Sequence, residues 1–283
     1  MQTTYSSDNA NTLQDYSTRA TATATATATA KPPTGPLVGF GHILKKQMRD
    51  WYGTRKWLWV GGISTLIAAG LQLAMYLAAQ LAAADGESIP VDVLTQMPMI
   101  LLGNIFIMIP VLVSIGEVIE EKKSGTAAWI MSKPASRFSF ILSKWVATSI
   151  NITVLGLLLP GIASFTLASL LFGVDFGIGS VAAALGVLTL YYIMMVAVTL
   201  FLGVGMKSQG AVAAVAIGSI TLMPMMTILP DAVIALLPTS MAAVATALVQ
   251  TGELMSYIPV ISGAAILVVS LAAASALFNR QEL

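Results

Sequence analysis

The sequence predicts an all-α, polytopic integral membrane protein with six transmembrane helices, and three observations carry that prediction. First, 57% of the 283 residues are hydrophobic and only 10% are charged, against about 25% charged in a soluble domain. Second, the apolar residues gather into six stretches, each near the roughly 20 residues that a helix needs to cross a bilayer. Third, once those stretches are threaded through a membrane, every Lys and Arg falls on one side of it.

Residues 1–36 stand apart from the rest. Ser, Thr, Asn and Asp dominate them, and an alternating Thr-Ala tract runs from Thr21 to Ala30 before Lys31-Pro32-Pro33. So little apolar surface does not offset the entropy of ordering, and a disordered tail is expected. The tail lacks the continuous apolar core of a signal peptide. Over residues 37–56, Phe40, Ile43, Leu44, Met48, Trp51 and Tyr52 recur mostly every three or four positions, with Lys45, Lys46, Arg49 and Asp50 between them. That pattern predicts an amphipathic interfacial helix with a basic polar face and its Trp and Tyr at headgroup level.

The spans are expected at 57–83, 98–116, 145–172, 178–206, 211–229 and 257–278. Pro110, Pro160 and Pro224 fall inside them and predict kinks, because a proline leaves a carbonyl one turn back without its donor. Residues 230–253 are too polar and Pro-punctuated for a span, but Ala242–Val249 reads as a short helix lying on the membrane or dipping into it. Asn104, Asn151, Thr153, Ser164, Thr166, Thr189, Tyr191, Tyr192 and Thr199 are polar groups within spans. Hydrogen bonds between packed helices are the expected use of most of them. Met194, Met195, Met223, Met225 and Met226 read as packing or lipid contact.

With the N-terminus in the cytoplasm, fourteen cations face seven acids on that side, while the outer loops hold Asp85, Glu87, Asp92, Asp175, Asp231 and Glu253 and no cation. The positive-inside rule is then obeyed without exception, and both termini are expected to be cytoplasmic. Five or seven spans would place either the 122–144 cluster or Arg280 outside.

Several kinds of chemistry lack their residues. There is no phosphate-binding G-x-x-x-x-G-K-[ST] loop, and a single histidine, His42, with no cysteine does not make the usual zinc ligand sets. The expected span interiors hold no Asp, Glu, Lys, Arg or His, which argues against proton-coupled transport and intramembrane proteolysis. Glu120-Glu121 resembles the start of a glutamate-type membrane protease motif, but Gly125 stands where its arginine would be.

The long charged excursion at 117–144 is the part that a simple membrane anchor does not need. Its acidic start, Glu117 to Glu121, leaves the membrane; Gly125 suits a helix stop; Pro134 breaks the next element; and Ser136 is placed to cap the third span. The product is a short amphipathic helix on the cytoplasmic face, joined at both ends to spans. Here Glu121, Lys122, Gly125, Thr126, Ile130, Met131, Ser132, Pro134, Ser136, Arg137, Ile141, Leu142 and Lys144 stand at a spacing that resembles the cytoplasmic signature of the membrane subunits (permeases) of type-2 ATP-binding-cassette (ABC) exporters. The tight turn Lys207 to Ala211 and the ending Ala276 to Leu283 resemble that family too.

The resemblance implies a specific arrangement. The segment between spans two and three would be a coupling helix seated on a separate ABC ATP-binding subunit, with Glu117, Glu120, Glu121, Lys122, Gly125, Thr126 and Arg137 at the joint. A second permease, as a homo- or heterodimer, would complete the pathway in the plasma membrane. No catalytic site, cofactor or metal is expected in this chain; ATP and Mg belong to the partner ATPase. Membrane lipid is an expected partner and nucleic acid is not. Two other readings compete: a non-transporting membrane anchor or scaffold for an ATPase, and an ion-coupled secondary transporter. The latter should show paired repeats with broken helices, and no such symmetry is visible. The substrate is not written in the sequence.

Overall fold

The computed structural model describes residues 35–87, 89–124, 136–222 and 229–281, and among them the regular structure is helical with no strand. Helix α1, Phe40–Gly53, follows Gly39, whose φ of 80° turns the chain into it. Ile43, Gln47 and Trp51, four residues apart, are its buried face. They pack against the first half of α4, introduced below. A helix thus occupies most of the stretch read as amphipathic, with a glutamine as one of its three buried positions and Tyr52 exposed.

Five helices among the described residues are long and apolar enough to cross a membrane: α2 Leu58–Ala84, α3 Asp92–Lys123, α4 Arg137–Phe172, α5 Ile178–Gly205 and, after three shorter ones, α9 Ile258–Asn279. The shorter helices are α6 Gln209–Leu222, α7 Asp231–Ile234 and α8 Ser240–Thr251. Helix α6 is the described part of the span expected at 211–229. Pro224, Met223, Met225 and Met226 lie outside the described residues, as do the tail before residue 35 and the centre of the coupling segment, 125–135.

Three expected boundaries move outward. Span two was expected at 98–116, yet α3 runs from 92 to 123; span three was expected from 145, yet α4 begins at Arg137. At about 1.5 Å per residue, the 36 residues of α4 extend about 54 Å, well beyond a hydrocarbon core of about 30 Å. The hydropathy pattern marks only the apolar part of each helix. The charged continuations, 117–123 and 137–144, remain helical or turn-like past it.

Three of the long helices widen locally into π-geometry, at Leu58–Ile63, Leu101–Ile105 and Ile152–Leu158. A π-turn leaves carbonyls outside the regular ladder, and at one of the three turns a neighbouring helix bonds to a carbonyl. The Tyr192 hydroxyl donates to Leu102 O at 2.8 Å; the single proton of Ser64 Oγ has its nearest acceptor in Val60 O of the same helix, with Leu155 O 3.2 Å away. Pro160 follows the third π-turn directly. Most other polar groups in the spans do not bridge helices as expected. Asn104, Thr189 and Thr199 donate to the carbonyl four residues back in their own helix, which satisfies them without a neighbour.

Helix α5 is the most buried of the long helices and α2 the least. The core is built around α5, and α2 presents Trp59, Leu66 and Leu81 outward. Helix α8, foreseen at 242–249, is longer and buries Met241, Ala242, Val244, Ala245 and Leu248 in the bundle. It packs on α5, α9 and the first part of α3. Gly103 permits that approach, because a Cβ there would stand 2.8 Å from Ala242 Cβ.

Candidate functional site

One end of the bundle gathers the charged residues that flank 125–135. Helix α4 starts there with Ser136 as its cap: Ser136 Oγ accepts from Ser139 N–H at 2.9 Å, satisfying a donor that the helix start would leave free. Two turns on, Lys144 is only 1% exposed, and its ammonium lies 3.3 Å from Glu117 Oε2 and 3.2 Å from Glu121 Oε2. Those carboxylates sit near the end of α3 and are themselves 8% and 17% exposed. A buried ammonium persists only when paired, and here one cation answers two acids. The Lys144 ammonium also lies 5.4 Å from the centroid of the Phe140 ring, which stacks on Phe278 of α9 at 5.1 Å.

Helix α1 closes one side of this cluster. Gln47 Nε2 donates to Glu121 Oε1 at 3.5 Å, and the Lys46 ammonium lies 3.7 Å from the same oxygen. On the other side, Gln209 at the start of α6 donates to Glu120 Oε1 at 3.1 Å. Glu117, Glu120, Glu121, Lys144, Gln47 and Gln209 line a cavity of 380 Å³.

A second network ties the same end to the last helix. Lys122 Nζ donates to Val204 O and to Gln281 Oε1, both at 2.9 Å, while Gln281 Nε2 donates to Val204 O at 2.8 Å. Arg137 Nη1 reaches Phe278 O, Asn279 O and Gln281 O at 3.0, 2.9 and 2.9 Å. Phe278 O and Asn279 O close α9 and Gln281 O lies just past it; Phe278 O also accepts from Gln281 N–H at 3.3 Å, and a guanidinium is well suited to satisfy several such end carbonyls at once. The two ends that flank residues 125–135 are thereby bonded to α1, α5, α6 and α9.

Of the seven residues singled out in the sequence, Glu117, Glu120, Glu121, Lys122 and Arg137 thus fall into these adjoining networks; Gly125 and Thr126 lie outside the described residues. Five participants were not among those seven: Lys46, Lys144, Gln47, Gln209 and Gln281. Gln47 had a signal, a polar residue in line with Ile43 and Trp51 on the packed face of α1. Lys144 was seen only as the last position of a motif. Among the described residues, no group of three His, Cys, Asp or Glu side chains is arranged to hold a metal ion. The cluster's chemistry is charge neutralisation and mechanical linkage.

No curated protein matches the chain. A family model described as ABC-2 family transporter protein matches residues 63–276, from early α2 almost to the end of α9 and across the whole 117–144 segment. Membrane proteins of that family generally work with ATP-binding subunits. The chain belongs to the ABC-2 family of transporter membrane proteins.

Proposed function

We propose that this chain is the membrane-spanning permease subunit of an ATP-driven ABC exporter. It forms half of a translocation pathway with a second permease, as a homo- or heterodimer, and is driven by a separate ATPase that holds the ATP and Mg. In this reading six spans cross the plasma membrane, both termini are cytoplasmic, and the charged end of the bundle faces the motor. Residues 117–144 are the coupling segment. Glu117, Glu120, Glu121, Lys122, Gly125, Thr126 and Arg137 make or support the joint.

One observation carries the reading beyond the family. The residues on either side of 125–135 are joined to each other through Lys144, to α1 through Lys46 and Gln47, to α5 through Lys122, to α6 through Gln209 and to α9 through Arg137. A push on the segment between them is delivered to several helices together, because buried ion pairs and short hydrogen bonds resist independent movement.

Affinity purification of the full chain from its native membrane tests the docking. The expected co-purifying chain carries a phosphate-binding loop, and Glu121→Ala should insert normally but uncouple or lose that partner. A Glu121→Ala protein that retains the partner and full ATP-driven transport would overturn the assignment of that residue. Absence of any ATP-binding chain from the wild-type preparation would overturn the reading.

A further inference from the structure

Helix α1 has a second face whose chemistry the coupling cluster does not use. At about 100° per residue, Ile43, Gln47 and Trp51 form the packed face, and Lys46 and Asp50 flank it on one side. Lys46 pairs with Glu121 and Asp50 lines the coupling cavity. Leu44 and Met48 make an apolar flank on the other side, with Met48 against Asn151 of α4. Between the two flanks, pointing away from the bundle, His42, Lys45, Arg49 and Tyr52 make one exposed row. Together with Lys46 and Met48 the row encloses a surface concavity of 440 Å³.

Every polar group in this row can donate a hydrogen bond, and the row contains no acid. Among the described residues, Lys45 and Arg49 have no carboxylate within ion-pair distance. The row borders an apolar flank and leads through Tyr52 to the exposed Trp57 and Trp59 at the start of α2. Aromatic residues of that kind mark the headgroup level of a bilayer.

We propose that His42, Lys45, Arg49 and Tyr52 bind the phosphate headgroup of an anionic phospholipid. A guanidinium forks onto phosphate oxygens, and an ammonium supplies a point charge beside it. An anionic leaflet concentrates that ligand at the surface where the row lies. A zwitterionic headgroup brings its own ammonium, which the row repels. The site stands on the geometry of α1 and is independent of the permease reading. Its consequence for that reading is local: a headgroup held on the outer face of α1 steadies the helix whose inner face presents Lys46 and Gln47 to Glu121.

The test is native mass spectrometry of the full chain titrated with phosphatidylglycerol and, separately, with phosphatidylcholine of matched acyl chains. The expected result is tighter binding of phosphatidylglycerol that weakens about thirtyfold in Lys45→Gln/Arg49→Gln, about fivefold for each cation lost at an anionic surface. Both substituted residues are exposed, so the variant should keep the wild-type thermal midpoint. Equal binding of the two lipids would overturn the proposal. So would an equal loss in the control pair Lys123→Gln/Lys207→Gln, which removes exposed cations elsewhere. Displacement of phosphatidylglycerol by millimolar inorganic phosphate would also overturn it, in favour of a free-phosphate site.

Discussion

Replacing Lys144 by methionine removes the one cation that Glu117 and Glu121 share, and the cost follows from the geometry. The two contacts are 3.3 and 3.2 Å. At an effective dielectric of about 20, each represents about 5 kcal/mol of attraction before desolvation is subtracted. Methionine fills much of the same volume, so the loss is electrostatic rather than a cavity. What remains is two carboxylates, 8% and 17% exposed, of which Glu121 alone keeps an ion-pair contact, with Lys46 at 3.7 Å. Removing one partner of a buried ion pair costs about 3–5 kcal/mol. For a chain of this size, that lowers the thermal midpoint by about 10 °C. Thermal unfolding of the detergent-solubilised chain measures it directly. Lys46→Gln is the control, because its side chain is 34% exposed and its contact longer, and exposed pairs are worth about 0–1 kcal/mol. The triple variant Lys144→Met/Glu117→Gln/Glu121→Gln removes the stranded charges and should recover most of the loss. If Lys144→Met unfolds no earlier than Lys46→Gln, the ion cluster is not a structural joint and the reasoning fails.

Three further outcomes are expected. Gln72, fully buried on α2 with neither amide atom partnered, should be improved by Gln72→Leu, raising stability by about 1–2 kcal/mol; a destabilised variant would mean that the amide has a use. Gly103→Ala should cost about 1–3 kcal/mol, since its Cβ would meet both Cβ and Cα of Ala242. Gly186→Ala, with no atom within 4 Å of the added carbon, should be neutral or better in the same melting assay. Gln281→Ala and Arg137→Ala should each expose the end of α9, seen as faster hydrogen exchange at residues 278–281, with about 1.5–3 kcal/mol lost for the charged donor. Unchanged exchange there would show that the clamp does not hold the tail.

The long helices were readable because each needs only its own apolar run, and the α4 cap was readable because Ser136 acts on a residue three positions away. The amphipathic α1 was readable for the same reason, through its three- and four-residue spacing. The site was readable in part. Glu117, Glu120, Glu121, Lys122 and Arg137 stood out as charges in a chain that has few. Their partners did not, because Lys144 lies 27 positions from Glu117, Gln209 lies 89 from Glu120, and Gln281 lies 159 from Lys122. No local period encodes such pairings; they arise when helices pack side by side. The π-turns escaped for a related reason. At Leu101–Ile105 a carbonyl accepts from Tyr192 on another helix, so the widening there depends on the packed bundle as well as on the segment. The same packing draws α8 inward from the surface position that its short length left open.

The central claim is that a separate ATPase drives this chain through residues 117–144. The most direct measurement is flux of a substrate found to be exported by cells carrying the protein, in vesicles that hold the chain together with its co-purifying ATPase. Flux is expected to require ATP, to fail without the ATPase, and to be lost in Glu121→Ala while the chain remains inserted. Flux driven by an ion gradient with neither ATP nor ATPase present would contradict it.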